Sequence, residues 1–238
     1  MTNKPAPPKL YQTVFDKIIE RIVSGAYGPG SMLPSEFDIA AELGVSQGTA
    51  RKALIELERK RIIERRQGKG TFVSQRTPEN SLFHFFNLRD SDGEQVVPEL
   101  KEETVRRRKA NPEERKQLFG NPAQVFEIER VRSWHDKPLC HEFSIVPAEL
   151  FPGLADRAPL PNTLYVLFQQ AYGCAIISAE DSLIAGILGA DLGARFENPA
   201  DTPVLIGMRR SFDLLDRVVE LRRSVYLTEN ASYMVRMD

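Results

Sequence analysis

Two arginines, Arg130 and Arg132, alternate with Phe126, Ile128 and Trp134 along residues 125–134. Successive side chains of a strand point to opposite faces, so this spacing sets two guanidinium groups beside three large apolar groups. A guanidinium among apolar neighbours needs a carboxylate or phosphate partner, which makes anion recognition the expected chemistry. Glu142 shares a strand face with Cys140, Ser144 and Val146, and Glu220 shares one with Arg222, Ser224 and Tyr226. These two glutamates are the expected counter-charges when no ligand is present. The Glu220–Tyr226 face also fits a plain solvent-facing one, because Val219, Leu221, Val225 and Leu227 lie opposite.

No catalytic set emerges. The histidines are His84, His135 and His141, and none sits in an HExxH pattern; GxSxG and GxxxxGK are absent. Cys140 and Cys174 form no CxxC pair and are expected to be buried small apolar residues. The expectation is no enzymatic activity, no metal and no cofactor. A catalytic reading, with Arg130, Arg132 and Glu142 serving a reaction, lacks a nucleophile or a paired acid and base.

A second polar group lies near the start of the chain: Gln47, Thr49, Arg51 and Lys52, then Arg66, Gly68 and Lys69. Residues 51–70 hold 8 Lys/Arg against 3 Asp/Glu, and residues 1–76 hold 13 against 8, whereas the remainder holds 19 against 25. A basic front with an acidic rear points to a polyanion partner for the front alone. Charge by itself also fits a solvated helix face, so the elements carrying these residues decide.

Leu10, Val14, Ile18 and Ile22 recur at helical spacing, and Gly25, Gly28, Pro29 and Gly30 stop that helix. Ser35 with Asp38 three residues on predicts a capped second helix with Ile39, Ala40 and Leu43 buried. Leu43-Gly-Val-Ser46 is a tight turn, and Ser46 caps a third helix that buries Ala50, Ala53, Leu54 and Leu57. This is a helix-turn-helix, whose third helix would present Gln47, Thr49, Arg51 and Lys52 to the major groove. Residues 62–66 and 71–73 read as strands joined by Gln67-Gly-Lys-Gly70, a basic hairpin loop that forms a wing.

Gly30-Ser-Met-Leu-Pro-Ser-Glu36, Leu43-Gly-Val-Ser46, Ala53-Leu-Ile-Glu-Leu57 and Arg65-Arg-Gln-Gly-Lys-Gly-Thr-Phe-Val73 resemble the winged helix-turn-helix of the GntR family of bacterial transcription regulators. The resemblance implies operator DNA as partner, with Ser35, Ser46, Gln47, Thr49, Arg51, Lys52, Arg66, Gly68 and Lys69 on the contact surface. The chain departs from the family pattern at Phe37 and Gln47, where arginines are usual, and at Gly48, where threonine is usual. Glutamine suits adenine where arginine suits guanine, and a glycine within a helix costs roughly 1 kcal/mol against alanine.

Beyond residue 80, segments 104–108, 125–134, 139–147, 175–188, 204–212 and 218–227 read as strands. Helices are expected near 112–118, 164–171 and 191–196. Adjacent strands joined by short turns predict an α+β fold, mostly antiparallel, with helices against one side. Ile128-Glu-Arg-Val-Arg132, His141-Glu-Phe143, Val146-Pro-Ala-Glu-Leu-Phe-Pro-Gly153, Thr163-Leu-Tyr165 and Glu220-Leu-Arg-Arg-Ser-Val-Tyr226 resemble the effector (UTRA) domain of the HutC-type branch of the same family, a fold similar to chorismate lyase. That resemblance implies a cavity lined by Arg130, Arg132, Glu142, Thr163, Tyr165, Glu220 and Tyr226, with Phe86, Asn87 and Arg89 contributed by a preceding loop. It also implies a small anionic metabolite as effector, of the kind of sugar phosphates or carboxylates.

The expected organisation is a loose tail at 1–8, a winged helix-turn-helix at 9–75, a linker at 76–82 and an effector domain at 83–238. No apolar run reaches the ~20 residues needed to cross a bilayer, and a cytoplasmic repressor is expected. A homodimer held by the second domain would bind an inverted repeat with half-sites about one helical turn apart. A DNA-binding regulator without ligand is the other reading, supported by the departures at Phe37, Gln47 and Gly48.

Overall fold

A computed structural model describes residues 10–75, 86–229 and 231–235; the tail 1–8, the linker 76–82 and His84 lie outside them. The chain divides into two units, Met1–Arg76 and Thr77–Asp238.

In the first unit, helix α1 (Leu10–Val23) buries Val14, Ile18 and Ile19. Helix α2 (Glu36–Leu43) starts at a capping box. The Ser35 hydroxyl accepts from the Asp38 amide at 3.2 Å, and the Asp38 carboxylate accepts from the Ser35 amide at 3.3 Å. Gly44 closes α2 with φ 65°, a left-handed position that suits a residue without a side chain. Helix α3 (Gln47–Arg59) buries Ala50, Ala53, Leu54 and Leu57. The alanines are fully enclosed, and their small size lets the helices approach closely. Strands β1 (Ile63–Arg66) and β2 (Gly70–Val73) pair antiparallel as the wing. The order read from the sequence is the order observed.

The second unit is built on a six-stranded antiparallel sheet. Its strands are β4 (Glu99–Lys109), β5 (Gln124–Trp134), β6 (Lys137–Pro147), β7 (Ile176–Ile187), β8 (Pro203–Asp213) and β9 (Val218–Leu227), in the order β4-β5-β6-β9-β8-β7. Two short strands, β3 (Leu88–Arg89) and β10 (Ser232–Tyr233), pair with each other. The helices are α4 (Pro112–Gln117), α5 (Leu164–Tyr172) and α6 (Ala190–Phe196).

Three expectations need correction. Helices cover both sheet faces rather than one. Tyr165 and Phe168 of α5 pack with Phe126, Ile128 and Val146, whereas Phe196 of α6 packs with Val131, Val204 and Val225 from the opposite face. Strand β4 runs well beyond 104–108; it is an edge strand carrying few apolar residues, so alternation showed only its middle. The polar face of β9 is not solvated: Glu220, Ser224 and Tyr226 are all buried. A bulge explains why both Val219 and Glu220 are inside. Ser211 opposes Glu220 and Phe212 opposes Val218, which leaves Val219 unpaired in the ladder, and Val219 joins the α5 core cluster.

Candidate functional site

The first unit gathers the expected DNA-facing residues at the starts of α2 and α3 and along the wing. Gln47, Arg51 and Lys52 are exposed, as are Arg66, Gly68 and Lys69. Arg51 and Lys69 have no charged partner among the described residues. Lys52 lies over the Tyr11 ring at 4.5 Å, and Arg66 stacks on Phe72 at 4.5 Å while it holds Glu64 at 2.5 Å. Ser35, Ser46 and Thr49 use their hydroxyls locally. Ser46 accepts from the Thr49 amide at 3.2 Å and shares a hydrogen bond with the Thr49 hydroxyl at 2.9 Å, so these side chains fix the helix starts. Gly68 sits at φ 69° at the tip of the hairpin, a backbone geometry that ordinary side chains resist.

In the second unit the α5 side of the sheet carries a chain of buried ion pairs. Arg130 donates to Glu103 at 2.8 and 2.6 Å, to the Pro161 carbonyl at 2.9 Å and to the Asn162 carbonyl at 3.2 Å. Glu103 also accepts from the Leu160 amide at 2.8 Å. The expectation that Glu142 or Glu220 neutralises Arg130 is therefore corrected: Glu103 does so, from a part of β4 whose charge run hid its register. Arg132 donates to Glu142 at 2.5 Å and to the Asn162 side chain. Arg222 lies 3.6 Å from Glu142, donates to Ser144 at 3.0 Å and to Glu220 at 2.7 Å, and faces the Tyr165 ring at 5.2 Å. Glu220 in turn accepts from Tyr165 at 2.5 Å and from Ser211 at 2.6 Å.

The start of α5 completes this group. Thr163 occupies its N-cap position without a side-chain capping bond, and its carbonyl accepts from the Val166 amide at 3.2 Å, so the Leu164 and Tyr165 amides keep their partial positive charge beside Asn162. Tyr226 is buried against Phe86, Cys140 and Leu205, next to the β3–β10 pair. From that pair, Tyr233 donates to Asp181 at 2.5 Å and accepts from Asn87 at 3.0 Å, and Arg89 donates to Gln95. Asp181 is also held by Arg209 at 2.6 Å.

Sequence reading missed Glu103, Asn162, Asp181, Arg209, Ser211 and Tyr233. Glu103, Asp181 and Arg209 lie on strands whose charges read as surface, and Ser211 is inconspicuous without its partner. Arg222 was visible on the Glu220 face, but nothing in its spacing separated a solvent face from a buried one.

Electrostatics favour the ionised carboxylates in this group. Burial pushes the Glu142 carboxyl up, but Arg132 and Arg222 outweigh it and bring it down to about 2. Glu220 and Asp181 are also held below their ordinary values, against burial, by Arg222 and Arg209 respectively. Burial together with the like charge of Arg132 lowers Arg130 to about 10, which leaves it protonated at neutral pH. Burial, reinforced by Glu220, pushes the Tyr165 phenol to about 12.

Depressed carboxylates add stability above their unfolded-state values and lose it as pH falls below them. The melting temperature should thus hold between pH 7 and 5 and fall steeply below the ordinary glutamate value of 4.5. Glu142→Gln should lower the plateau and flatten the acid limb. Melting curves taken down to pH 3 decide this, and a wild-type profile flat to that point would contradict it.

A helix-turn-helix with a basic wing, followed by a sheet whose polar face is lined with buried ion pairs, is the architecture of a DNA-binding transcription regulator. Residues 10–73 match the profile of bacterial regulatory proteins of the gntR family, and residues 94–232 match the UTRA domain. The chain belongs to the GntR family of transcription regulators, in its UTRA-domain branch. It is 28% identical, over 98% of its length and 96% of the relative, to the mannosyl-D-glycerate transport/metabolism system repressor MngR of Escherichia coli. Over 36% of this chain and 34% of the relative it is 40% identical to the histidine utilization repressor of Pseudomonas aeruginosa. The crystal structure of PhnF from Mycobacterium smegmatis, 23% identical, shares the fold with a TM-score of 0.56 over 94% of this chain and 99% of that one.

Proposed function

We propose that this protein is a repressor whose operator affinity is set by a small, anionic, hydroxyl-bearing metabolite bound on the α5 side of the second unit. One observation carries the reading: four buried arginines and four carboxylates, paired as Arg130–Glu103, Arg132–Glu142, Arg222–Glu220 and Arg209–Asp181, share that region. Buried ion pairs add little or nothing to stability over apolar packing, so their concentration in one place calls for a ligand rather than a stability rationale. The repressor names of MngR and of the histidine utilization repressor support the same direction.

The anionic group would meet Arg132, Arg222, Thr163 and the first-turn amides of α5. Glu142, Glu220, Tyr165 and Tyr226 would exchange bonds with hydroxyls, and Phe86, Asn87 and Arg89 would border the site. Arg130 acts here as a clamp on residues 160–162. Arg130, Arg132, Arg209 and Arg222 each already hold a carboxylate, so a bare anion gains little; a ligand that also brings donors satisfies both charge types. A ligand shifts DNA affinity only by its differential affinity for two arrangements of the protein.

On this reading residues 1–8 are a tail, 9–75 the DNA-binding domain, 76–82 a linker and 83–238 the effector domain. The protein works in the cytoplasm as a homodimer on an inverted repeat. Ile184 and Met208, exposed on one face of the edge strand β7 and its neighbour β8, support a second copy as the dimer partner. The assembled site holds ionised pairs and no free nucleophile or base, which favours binding over turnover.

Arg51 and Lys69 are exposed cations of the proposed DNA face without a charged partner among the described residues, and both fit phosphate contacts. Arg51→Ala or Lys69→Ala should weaken binding to all duplexes alike and lower the salt slope by about one unit each. Binding isotherms at several salt concentrations test this. Unchanged slopes in both variants would move the DNA face elsewhere.

A further inference from the structure

Two residues at the starts of α2 and α3 are not explained by the fold. Gly48 is the second residue of α3. A Cβ built there would meet only the Ser46 hydroxyl, at an ordinary 3.9 Å. At Gly193, by contrast, a Cβ would run into the Asn198 carbonyl at 2.8 Å, so that glycine is required by packing. Gly48 is not among the residues with positive φ either. Alanine would serve the helix better, so neither space nor backbone asks for glycine.

Phe37, the second residue of α2, is 69% exposed, while Ile39 and Ala40 form the buried face of that helix. Glu36 beside it is held by Arg65 of β1 at 3.2 Å, which ties the first turn of α2 to the first strand of the wing. A large aromatic group thus stands in water beside the wing strand, uncovered by the described residues of its own unit.

We propose that this surface recognises thymine 5-methyl groups in an A·T-containing half-site. The missing side chain at Gly48 lets the start of α3 seat close against the base edges, and Phe37 packs on a methyl. A phenyl ring brings neither charge for a phosphate nor a donor or acceptor for a base edge. The thymine methyl is the apolar group that the major groove offers it. Gln47, adjacent to Gly48, has the side chain suited to adenine, so the three residues specify the same kind of base pair. This inference rests on the proposed DNA face and adds to it a base preference that neither charge nor phosphate contacts supply.

The test starts from duplexes selected out of a randomised library by the full-length wild-type chain. Each thymine of the selected half-site is then replaced singly by uracil, which lacks only the methyl. At one position at least, wild type should lose about fourfold in affinity, the worth of one buried methyl group. Phe37→Ala should bind the thymine duplex more weakly and be indifferent to that replacement. Gly48→Ala should melt no lower than wild type yet lose about tenfold on the selected duplex, and Gly48→Thr should lose more. Arg51→Ala separates the two levels of the argument. If it weakens binding while Phe37→Ala still distinguishes thymine from uracil as wild type does, the methyl contact is wrong and the DNA face stands. If Arg51→Ala, Phe37→Ala and Gly48→Ala all bind as wild type, the face and the inference fall together.

Discussion

Arg132→Ala is expected to lower affinity for the effector about 10- to 150-fold, the equivalent of one hydrogen bond to a charged group at about 1.5–3 kcal/mol. DNA binding by the unliganded protein should stay close to wild type. The separation follows from the network. Removing Arg132 takes away its bonds to Glu142 and Asn162, but Glu142 keeps Arg222 at 3.6 Å, so no buried carboxylate is left without a cation. The fold therefore tolerates the change better than ligand recognition does. Calorimetric titration of wild type and variant measures it, and equal affinities would remove Arg132, and with it the whole proposed cavity, from the ligand.

Arg130→Ala should behave differently despite lying only two residues away on the same strand face. Arg130 is 1% exposed, and its donors are shared among Glu103 and the carbonyls of Pro161 and Asn162. Truncation strands Glu103 in the interior, and breaking a buried pair from one side costs about 3–5 kcal/mol. For a unit of this size that corresponds to a fall in melting temperature of roughly 6–20 °C. Effector binding should weaken secondarily, because residues 160–163 lose their anchor. Thermal unfolding of Arg130→Ala beside Arg130→Ala/Glu103→Gln checks the cause: neutralising the stranded carboxylate should recover part of the loss. A variant that melts like wild type yet binds no effector would make Arg130 a direct ligand contact instead of a clamp.

The first unit was almost fully legible in the sequence because its signals are local. Ser35 and Asp38 cap, Gly44 turns and Ala50 and Ala53 pack within a few residues of one another, so spacing alone orders them. The second unit was legible where strands alternate and opaque where partners are distant. Arg130 and Arg132 were visible as arginines on an apolar face, but Glu103 lies 27 residues from Arg130, in a run of charges with no apolar period. The Asp181–Arg209 pair joins two strands whose register only the folded sheet fixes. Glu220 and Val219 show the clearest limit. Strict alternation sends them to opposite faces, and only the bulge opposite Ser211 and Phe212 brings both inside.

The central claim is that one metabolite, held by Arg132 and its neighbours, controls release of the operator. The most direct measurement titrates phosphorylated and carboxylated sugars into a complex of full-length protein with its selected duplex, and follows duplex release for wild type and Arg132→Ala. The expected result is release of wild type by at least one such compound, with the midpoint moved at least about tenfold higher in the variant. Release of both proteins at the same concentration would contradict the claim.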